Sequence, residues 1–562
     1  MGAMSGGLAF VARLLRKTWL GGVLARIFRI FRPAPAAAAE RKLERIRKLS
    51  SEAIARRDPV VSDSEKRIVI NSHFAWNYGP VEYALGAALR ERGHYVTMVA
   101  CGGLPDYCQL QNSTQDRPPC DLCLSRVSSR LNAYSLPHVT MSAYLTPEDI
   151  DYSRHIAETT PTTALRSVME GEVNVGNLAY INLFQYFKGP AYALTAEVEA
   201  VFRRCLASAI LTTRASARII ADLEPDVFVT INGKFLHWAP FIQHCRTGGI
   251  PFVTWEDYQI TPTTVVFAAN EIAHEQRYLE SWEMALSVPL SEDQQRQIRE
   301  HFKLWSSGAV TPWAGFGEDA TDKAEDVRRF LRLSPDRPVI SLFPNIAWDS
   351  SSVGFETAFE SVFDWMARTI EYAATRPDLD FVIRAHPAEG RLPPEWRSTV
   401  ATCDAIRIFG PPVPENVRLV EANDPVSSYT LAALSNVVMT YTSTVGLEMP
   451  LRGIRPWVAA GPYYAGKGLT VDIESPEHMY RLLDANAFPP PLTPEEVERA
   501  ERLAYLIRFR GTFEFPFLTG SDQLDLKKWS DLGPGGNSVL DDLCDRVVNA
   551  RPMIDLRPSV SS

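Results

Sequence analysis

One pattern recurs in two separate regions of the sequence: a short apolar run, a polar turn with glycine or proline, an amphipathic segment, and a second apolar run. The runs are rich in valine and isoleucine, which is typical of buried parallel strands joined by crossover helices. They cover residues 67–71, 95–100, 226–231 and 251–255, and then 338–343, 379–384, 436–441 and 455–460. This alternation predicts an α/β protein with two Rossmann-like lobes.

The length of 562 residues exceeds that of one ordinary domain and agrees with two lobes plus flanking segments. Residues 130–220 are mostly helical in pattern and form a long insertion in the first lobe. Helices of the second lobe are expected at 355–374, 427–434 and 446–452. We predict a basic segment and connector in residues 1–60, a first lobe in 61–325, a second lobe in 326–485, and a helical region crossing back in 486–562.

The overall charge limits the class of ligand. A formal net charge of -9 argues against a general nucleic-acid binder, because phosphate backbones are held by an excess of lysine and arginine. An anionic small ligand must therefore be met by local groups. Eight cysteines in a chain of this length do not form a disulfide framework, and we expect a reducing compartment, the cytosol.

The first 39 residues differ from this background, because they contain no acidic residue and combine arginines with leucine, isoleucine, phenylalanine and tryptophan. Gly21 and Gly22 divide the segment, and no apolar stretch is as long as the roughly 20 residues of a spanning helix. The composition favours an amphipathic helix pair on an anionic membrane surface. A disordered leader and a signal peptide are the alternatives.

Polar residues follow each predicted strand of the second lobe. Ligands of parallel α/β sheets bind at the carboxyl ends of the strands, so these residues are the candidates for a donor-binding site. In chain order they are Asn345 and Asp349, then Arg384, His386 and Glu389, then Ser443, Thr444, Gly446 and Glu448, and finally Tyr464, Gly466 and Lys467.

Two of these positions carry the sharpest chemical expectation. The turn from Ser443 to Gly446 leads into a predicted helix, whose first N–H groups suit a phosphate, and Glu448 suits ribose hydroxyls; Ser443 as a simple helix cap is the alternative. His386 ends a buried strand and precedes Pro387, so its imidazole suits a phosphate or sugar oxygen, with a structural histidine as the alternative.

These motifs together carry a resemblance. Asn345-x-x-Trp348-Asp349, Arg384-x-His386-Pro387, Ser443-Thr444-Val445-Gly446-Leu447-Glu448 and Gly461-x-x-Tyr464-x-Gly466 resemble, in this order, the motif series of bacterial capsule polysaccharide biosynthesis proteins, which include the Kdo transferases. The resemblance implies a GT-B architecture, a nucleotide-sugar donor in the second lobe, and catalysis that requires no metal cofactor. We also expect a saccharide or lipid-linked acceptor, and the basic N-terminal segment predicts a place on the cytoplasmic face of the inner membrane.

The first lobe should supply the group that activates the acceptor hydroxyl. Glu256 follows the predicted strand 251–255, and His73 follows the strand 67–71, so each is a candidate general base; a turn cap is the alternative for Glu256. His386 completes the catalytic set.

Four cysteines lie within 23 residues of the first lobe: Cys101, Cys108, Cys120 and Cys123. Four thiolates are a complete ligand set for a structural zinc ion, although the interval from Cys101 to Cys108 is not that of a standard zinc knuckle. Reduced, buried cysteines are the alternative.

The expected activity is transfer of a sugar from a nucleotide-sugar to a cell-surface polysaccharide or glycolipid. Two alternatives share the fold: a sugar-nucleotide 2-epimerase, and a noncatalytic factor for polysaccharide assembly or export. The residues leave the donor sugar, its nucleotide, the linkage and the stereochemical course open.

Overall fold

The computed structural model describes residues 34–55, 65–72, 79–104, 107–113, 118–189, 195–257, 261, 263–275, 279–306, 323–392, 397–520 and 523–554. No helix among these residues is both long and apolar enough to cross a membrane. The predicted amphipathic segment of residues 1–32 lies outside the described residues.

The first lobe is built on a seven-stranded sheet of order β13-β6-β5-β4-β1-β2-β3. Strands β1 to β5 are parallel, whereas β6 pairs antiparallel with β5, and β13 pairs antiparallel with β6. The central strands are buried on both faces, as expected for valine- and isoleucine-rich sequences between helical layers. The strands are β1 Arg67–Asn71, β2 Tyr95–Ala100, β3 His138–Thr140, β4 Val227–Ile231, β5 Phe252–Asp257, β6 Thr264–Ala269 and β13 Thr512–Glu514.

Helices cover the first sheet and form the predicted insertion. The longest is α6, which begins after the capping residue Thr195 and buries a continuous apolar face against α5. The helices are α1 Ala34–Ala55, α2 Gly79–Glu91, α3 Cys120–Tyr134, α4 Pro147–Thr159, α5 Val175–Phe187, α6 Ala196–Leu223, α7 Ala239–Gly248, α8 Leu279–Ser287 and α9 Glu292–Ser306.

The second lobe is built on a six-stranded parallel sheet of order β12-β11-β10-β7-β8-β9. Its strands are β7 Val339–Phe343, β8 Asp380–Arg384, β9 Val417–Val420, β10 Val437–Thr440, β11 Trp457–Val458 and β12 Val471–Asp472. Its helices are α10 Ala324–Leu331, α11 Val362–Ala373, α12 Thr402–Phe409, α13 Ser428–Ala433, α14 Val445–Glu448 and α15 Pro476–Asp484. One mostly parallel and one fully parallel sheet, each packed with helices, confirm the predicted fold class of two Rossmann-like lobes.

The chain returns to the first lobe after the second sheet. Helix α16 (Pro494–Tyr505) ends in a π-helical turn at Leu506–Arg510, which leads directly into β13. The short strands β14 (Leu518–Gly520) and β15 (Gln523–Leu524) and helix α17 (Ser538–Val548) follow. Phe515 and Leu540 are buried in the core of the first lobe, so the C-terminal residues complete that core.

An apolar cluster joins the two lobes beside the crossing helix. It combines Val266 and Ala268 of β6 with Leu447 of α14, Val458 of β11 and Leu503 of α16, all of them buried. Burial of these side chains against one another stabilises the relative placement of the lobes. The polar strand ends of the two sheets meet on another face of this junction.

Two predicted helices differ from the structure for local reasons. The helix expected at 355–374 begins only at Val362, because Ser361 caps it by accepting a hydrogen bond from the N–H of Asp364 (3.1 Å). The helix expected at 446–452 is split, since Pro450 has no N–H to continue it and starts a separate 3₁₀ turn.

Candidate functional site

The carboxyl ends of the two sheets face each other and are linked through one loop of the second lobe, residues 344–353, here called the β7 loop. From the first lobe, Lys234 Nζ donates to the carbonyl oxygens of Val353 (2.9 Å) and Ser350 (3.3 Å). His274 Nε2 lies 3.1 Å from Ser350 Oγ. The predicted polar strand ends of both lobes therefore contribute to one cleft.

A tight turn after β4 aims two side chains into this cleft. Asn232 and Gly233 both have left-handed backbone, with φ of 59° and 88°. Asn232 Oδ1 accepts the N–H of Lys234 (3.0 Å), and Asn232 Nδ2 donates to Glu256 Oε2 (2.8 Å). The turn thus holds the Glu256 carboxyl in place at the end of β5.

Glu256 lies in an environment that disfavours its charged form. Burial raises its pKa well above the ordinary glutamate range, and the negative charges of Asp257 and Asp349 add to the effect, while the Asn232 hydrogen bond opposes it. As a whole, residue Glu256 is half-buried. A carboxyl with a raised pKa at a cleft is a candidate for proton transfer.

His386 faces the same cleft from the end of β8. Burial of the ring lowers the pKa of His386 to about 4, against the opposing influence of Asp349, so the imidazole is neutral at pH 7. The N–H of Ala388 donates to Nδ1 (3.2 Å), which places the ring proton on Nε2. His386 therefore offers a fixed Nε2–H donor to an anionic or carbonyl oxygen.

Asp349 is the common neighbour of the ionisable groups in this cleft. Its charge acts on the pKa of Glu256, His274 and His386, and on that of Lys188 at the end of α5. One carboxylate oxygen of Asp349 accepts the N–H of Ser351 (2.7 Å), so the β7 loop itself fixes the side chain. The expected residues Asp349, His386 and Glu256 are brought together by the fold.

Three further residues of the cleft were not predicted: Lys188, Lys234 and His274. Burial lowers the pKa of Lys188 to about 8 and also lowers that of His274, which the neighbouring Lys234 lowers further. Lys188 Nζ lies 4.4 Å from the centre of the Trp348 ring. Lys188 lies in the helical insertion and His274 follows β6, which was not predicted, so neither had a signal in the sequence. Lys234 directly follows an Asn-Gly pair, which is typical of a tight turn at a strand end.

Two expected donor-binding residues, Arg384 and Glu389, make hydrogen bonds inside the second lobe. The Arg384 guanidinium donates to the carbonyl oxygens of Ala385, Glu421 and Ala422. Glu389 accepts hydrogen bonds from the N–H (3.1 Å) and hydroxyl (2.5 Å) of Thr402, where it holds the start of α12. Both side chains are buried, and their polar atoms stabilise the loops around His386.

Asn345 also connects strand ends. Asn345 Oδ1 accepts the N–H of Thr442 (3.0 Å), and Nδ2 lies 3.4 Å from Ser351 Oγ. The residue joins the loop after β10 to the β7 loop, and it is buried. Its position is that of a residue which shapes the cleft.

The turn from Ser443 to Gly446 differs from the expected phosphate cradle. The N–H groups of Gly446 and Leu447 are bonded to the carbonyls of Ser443 and Thr444 (both 2.9 Å), and Val445 N–H reaches Ser443 Oγ (3.4 Å). Helix α14 is a single turn, so its dipole is small. A phosphate at this position would be met by hydroxyl groups rather than by a helix terminus.

The remaining members of this motif pack against one another. Tyr464 is fully buried and donates to the carbonyl of Ser443 (2.7 Å). Glu448 accepts a hydrogen bond from the Tyr429 hydroxyl, and burial raises its pKa, so its carboxyl is held inside the lobe. Gly446 fits this packing because it has no side chain.

Beyond Tyr464, the chain turns sharply back. Gly466 has a φ of 71° and donates its N–H to Asp472 Oδ2 (2.8 Å), which closes the loop between β11 and β12. Lys467 is buried, with its ammonium 5.7 Å from the centre of the Trp282 ring of α8. These contacts place Lys467 at the junction of the lobes and Gly466 in a turn of the second lobe.

The two remaining predictions concern the first lobe. His73 lies outside the described residues. Burial raises the pKa of the Cys101 and Cys108 thiols, to about 11 for Cys101, and no group of three or more His, Cys, Asp or Glu among the described residues has the arrangement of a metal site. The zinc site of Cys101, Cys108, Cys120 and Cys123 therefore stays a prediction.

Two concavities lie beside the cleft rather than in it. An open one of about 740 Å³ lies at the β3 edge of the first sheet, lined by His138, Arg218 and Asp222. A small one of about 20 Å³ lies between α5 and the β7 loop, lined by Tyr180 and Ser352. The second has room for about one water molecule. Neither concavity is lined by Glu256, Asp349 or His386.

Substitution of Gly446 by alanine tests whether packing fixes the Ser443–Gly446 turn. The new Cβ would lie 2.3 Å from Tyr464 Cζ, so we expect a loss of about 1–3 kcal/mol of unfolding free energy. In a Tyr464→Ala background the same change should cost much less, as a double-mutant cycle by denaturant unfolding would show. Gly520→Ala, which points into open space, is the matched control; equal losses at both glycines would contradict this account.

No family model matches this chain, and no curated protein matches it in sequence. Solved structures resemble it distantly. The chain is similar to the KpsC β-Kdo 2,4-transferase of Thermosulfurimonas dismutans, with 14% identity, a TM-score of 0.30, and coverage of 49% of this chain and 78% of that chain.

It is also similar to the glycosyltransferase SnogD of Streptomyces nogalater, with 13% identity, a TM-score of 0.22, and coverage of 79% of this chain and 96% of that one. The UDP-GlcNAc 2-epimerase of Neisseria meningitidis shares 11% identity, with a TM-score of 0.21 and coverage of 78% and 93%.

Proposed function

We propose that this protein is a glycosyltransferase that moves a sugar from a nucleotide-sugar donor to a saccharide or lipid-linked acceptor without a catalytic metal. One observation carries the proposal: Glu256 of the first lobe and Asp349 and His386 of the second lobe converge at opposing strand ends. An acceptor hydroxyl activated from one lobe and a phosphate leaving toward the other need this arrangement.

Each group has a role that its environment supports. His386 presents Nε2–H to the leaving phosphate and can stabilise the charge that develops there, because its other nitrogen is already engaged by Ala388. Glu256, once ionised, accepts the proton of the acceptor hydroxyl, and the raised pKa makes it a stronger base than an exposed carboxylate. The hydroxyl groups of Ser443 and Thr444 follow β10, which lies on the other side of β7 from the strand of His386, and we assign them further contacts to the donor.

The class of acceptor follows from the motif resemblance between residues 345 and 466, which favours a cell-surface polysaccharide or glycolipid of a bacterium. The basic, apolar segment of residues 1–32 supports action at the cytoplasmic face of the inner membrane, where such acceptors are assembled.

A nucleotide-sugar panel tests donor binding. A matching donor at a hundred times its Kd should stabilise the protein by roughly 2.7 kcal/mol, seen as a rise in melting temperature of a few degrees. His386→Ala combined with Ser443→Ala should abolish that rise and leave the ligand-free transition in place. His155→Ala with Ser128→Ala, both at exposed positions, is the control pair. An undiminished shift in the first pair would reject the site.

Product analysis with the same donor separates the reaction classes. Transfer requires an added acceptor and releases the nucleotide. An isomerised nucleotide-sugar formed without acceptor would instead establish an epimerase, and binding without either product would establish a noncatalytic factor.

The pH dependence tests the base. Since Glu256 must be ionised and its pKa is raised, kcat/KM should fall as pH is lowered through the neutral range. Glu256→Gln should reduce kcat by about 10²–10⁴-fold and remove that dependence. Asp257→Asn removes a negative charge that raises the pKa of Glu256, so it should keep activity and move the profile to lower pH. Wild-type turnover in Glu256→Gln would exclude Glu256 as the base.

Deletion of residues 1–32 tests the membrane proposal. The full chain should sediment with vesicles that contain anionic lipid, and less so at high salt, because arginines next to an anionic surface are screened by ions. The deleted protein should stay in the supernatant with the same melting temperature as the full chain. Equal sedimentation of both proteins would contradict the proposal, and vesicles of purely zwitterionic lipid provide the control.

A further inference from the structure

The β7 loop belongs to the second lobe, yet side chains of three first-lobe elements hold its tip. Gln185 of α5 donates to the carbonyl of Trp348, Lys234 donates to the carbonyls of Ser350 and Val353, and His274 meets the Ser350 hydroxyl. Asp349 lies between two of these contacts. Its position is therefore set from across the cleft.

Lys234 is the most costly of these groups to bury. Only 8% of its surface is exposed, and its ammonium lies 3.7 Å from a carboxylate oxygen of Glu275 and 3.7 Å from the centre of the Phe355 ring. A buried ammonium is tolerated only where hydrogen bonds and opposite charge offset its desolvation. The two loop carbonyls provide much of that compensation, so the loop conformation and the lysine stabilise each other.

The same turn that carries Lys234 also carries Asn232, which is bonded to Glu256. A single left-handed turn after β4 therefore connects the proposed base to the loop of Asp349. A shift of Lys234 would move the two carboxyl groups relative to each other.

Second-lobe contacts hold the other part of the loop. Thr442 Oγ1 donates to the carbonyl of Ser351 (2.6 Å), and Ser352 Oγ donates to the carbonyl of Ile346 (2.8 Å). The proposed donor groups His386 and Ser443 are outside the loop. The contacts that hold His386 and Ser443 therefore differ from those that place Asp349.

We propose that Lys234 is a positioning residue, which places Asp349 against Glu256 and His386 through the β7 loop. The inference rests on the proposed transferase function for its catalytic consequence, but its structural part is independent of it. In this proposal, a residue of the first lobe fixes the conformation of a loop that lines the cleft of the second lobe.

Lys234→Met keeps the length of the side chain and removes its donors. We expect kcat to fall about 100-fold, as for a displaced reacting group, while donor affinity measured by calorimetry stays within about threefold. Lys234→Arg should restore part of kcat, and Lys48→Met, at a position 77% exposed, should change neither quantity. Unchanged kcat, or an equal loss of donor affinity, would overturn the positioning role.

Backbone hydrogen exchange gives a readout that needs no activity. Lys234→Met should speed exchange in residues 346–353, whereas Glu256→Gln should not, because Glu256 does not contact the loop carbonyls. Gln185→Ala provides a second variant if Lys234→Met does not fold. If no donor is ever turned over, the proposed function fails. The exchange result then decides by itself whether Lys234 holds the loop: faster exchange in Lys234→Met supports this role, and unchanged exchange refutes it.

Discussion

The arrangement of the cleft depends on the hydrogen bonds that the buried ammonium of Lys234 donates to the β7 loop. It is compensated by two carbonyls of the β7 loop and by Glu275, so the junction of the lobes is polar as well as apolar. The apolar cluster around β6 and α16 is large and brings the two lobes together, but hydrophobic burial is non-directional. The lysine contacts then select one loop conformation, because hydrogen bonds are directional.

The alternation of apolar and amphipathic segments was sufficient to predict both sheets. Strands β1 and β2 have the predicted bounds, since each is a continuous apolar run ended by a turn residue. The carboxyl ends of β5 and β8 also indicated Glu256 and His386 as candidate site residues. The local sequence predicts a site residue when that residue stands at the carboxyl end of a strand.

Other features depend on partners that are distant in sequence. Strand β6 runs antiparallel and is covered by β13, more than 240 residues later, so its short run lacks the context of a parallel unit. Arg384 and Glu389 were plausible ligands by type, but the carbonyls and the helix start that occupy them lie on loops after β8 and β9. Sequence shows which groups are polar and not which are already satisfied.

Desolvation accounts for how an acidic protein would admit the anionic donor that we propose. Burial keeps His386 neutral and favours the protonated form of Glu256, so one carboxyl that would repel a phosphate is uncharged. Lys188, with a pKa of about 8, remains mostly protonated at pH 7 beside Asp349. A bound phosphate would raise the pKa of Glu256 further. The environment that would ease donor binding therefore opposes ionisation of the proposed base, so under this proposal Glu256 must lose its proton to solvent after the donor binds and before it accepts the proton of the acceptor hydroxyl.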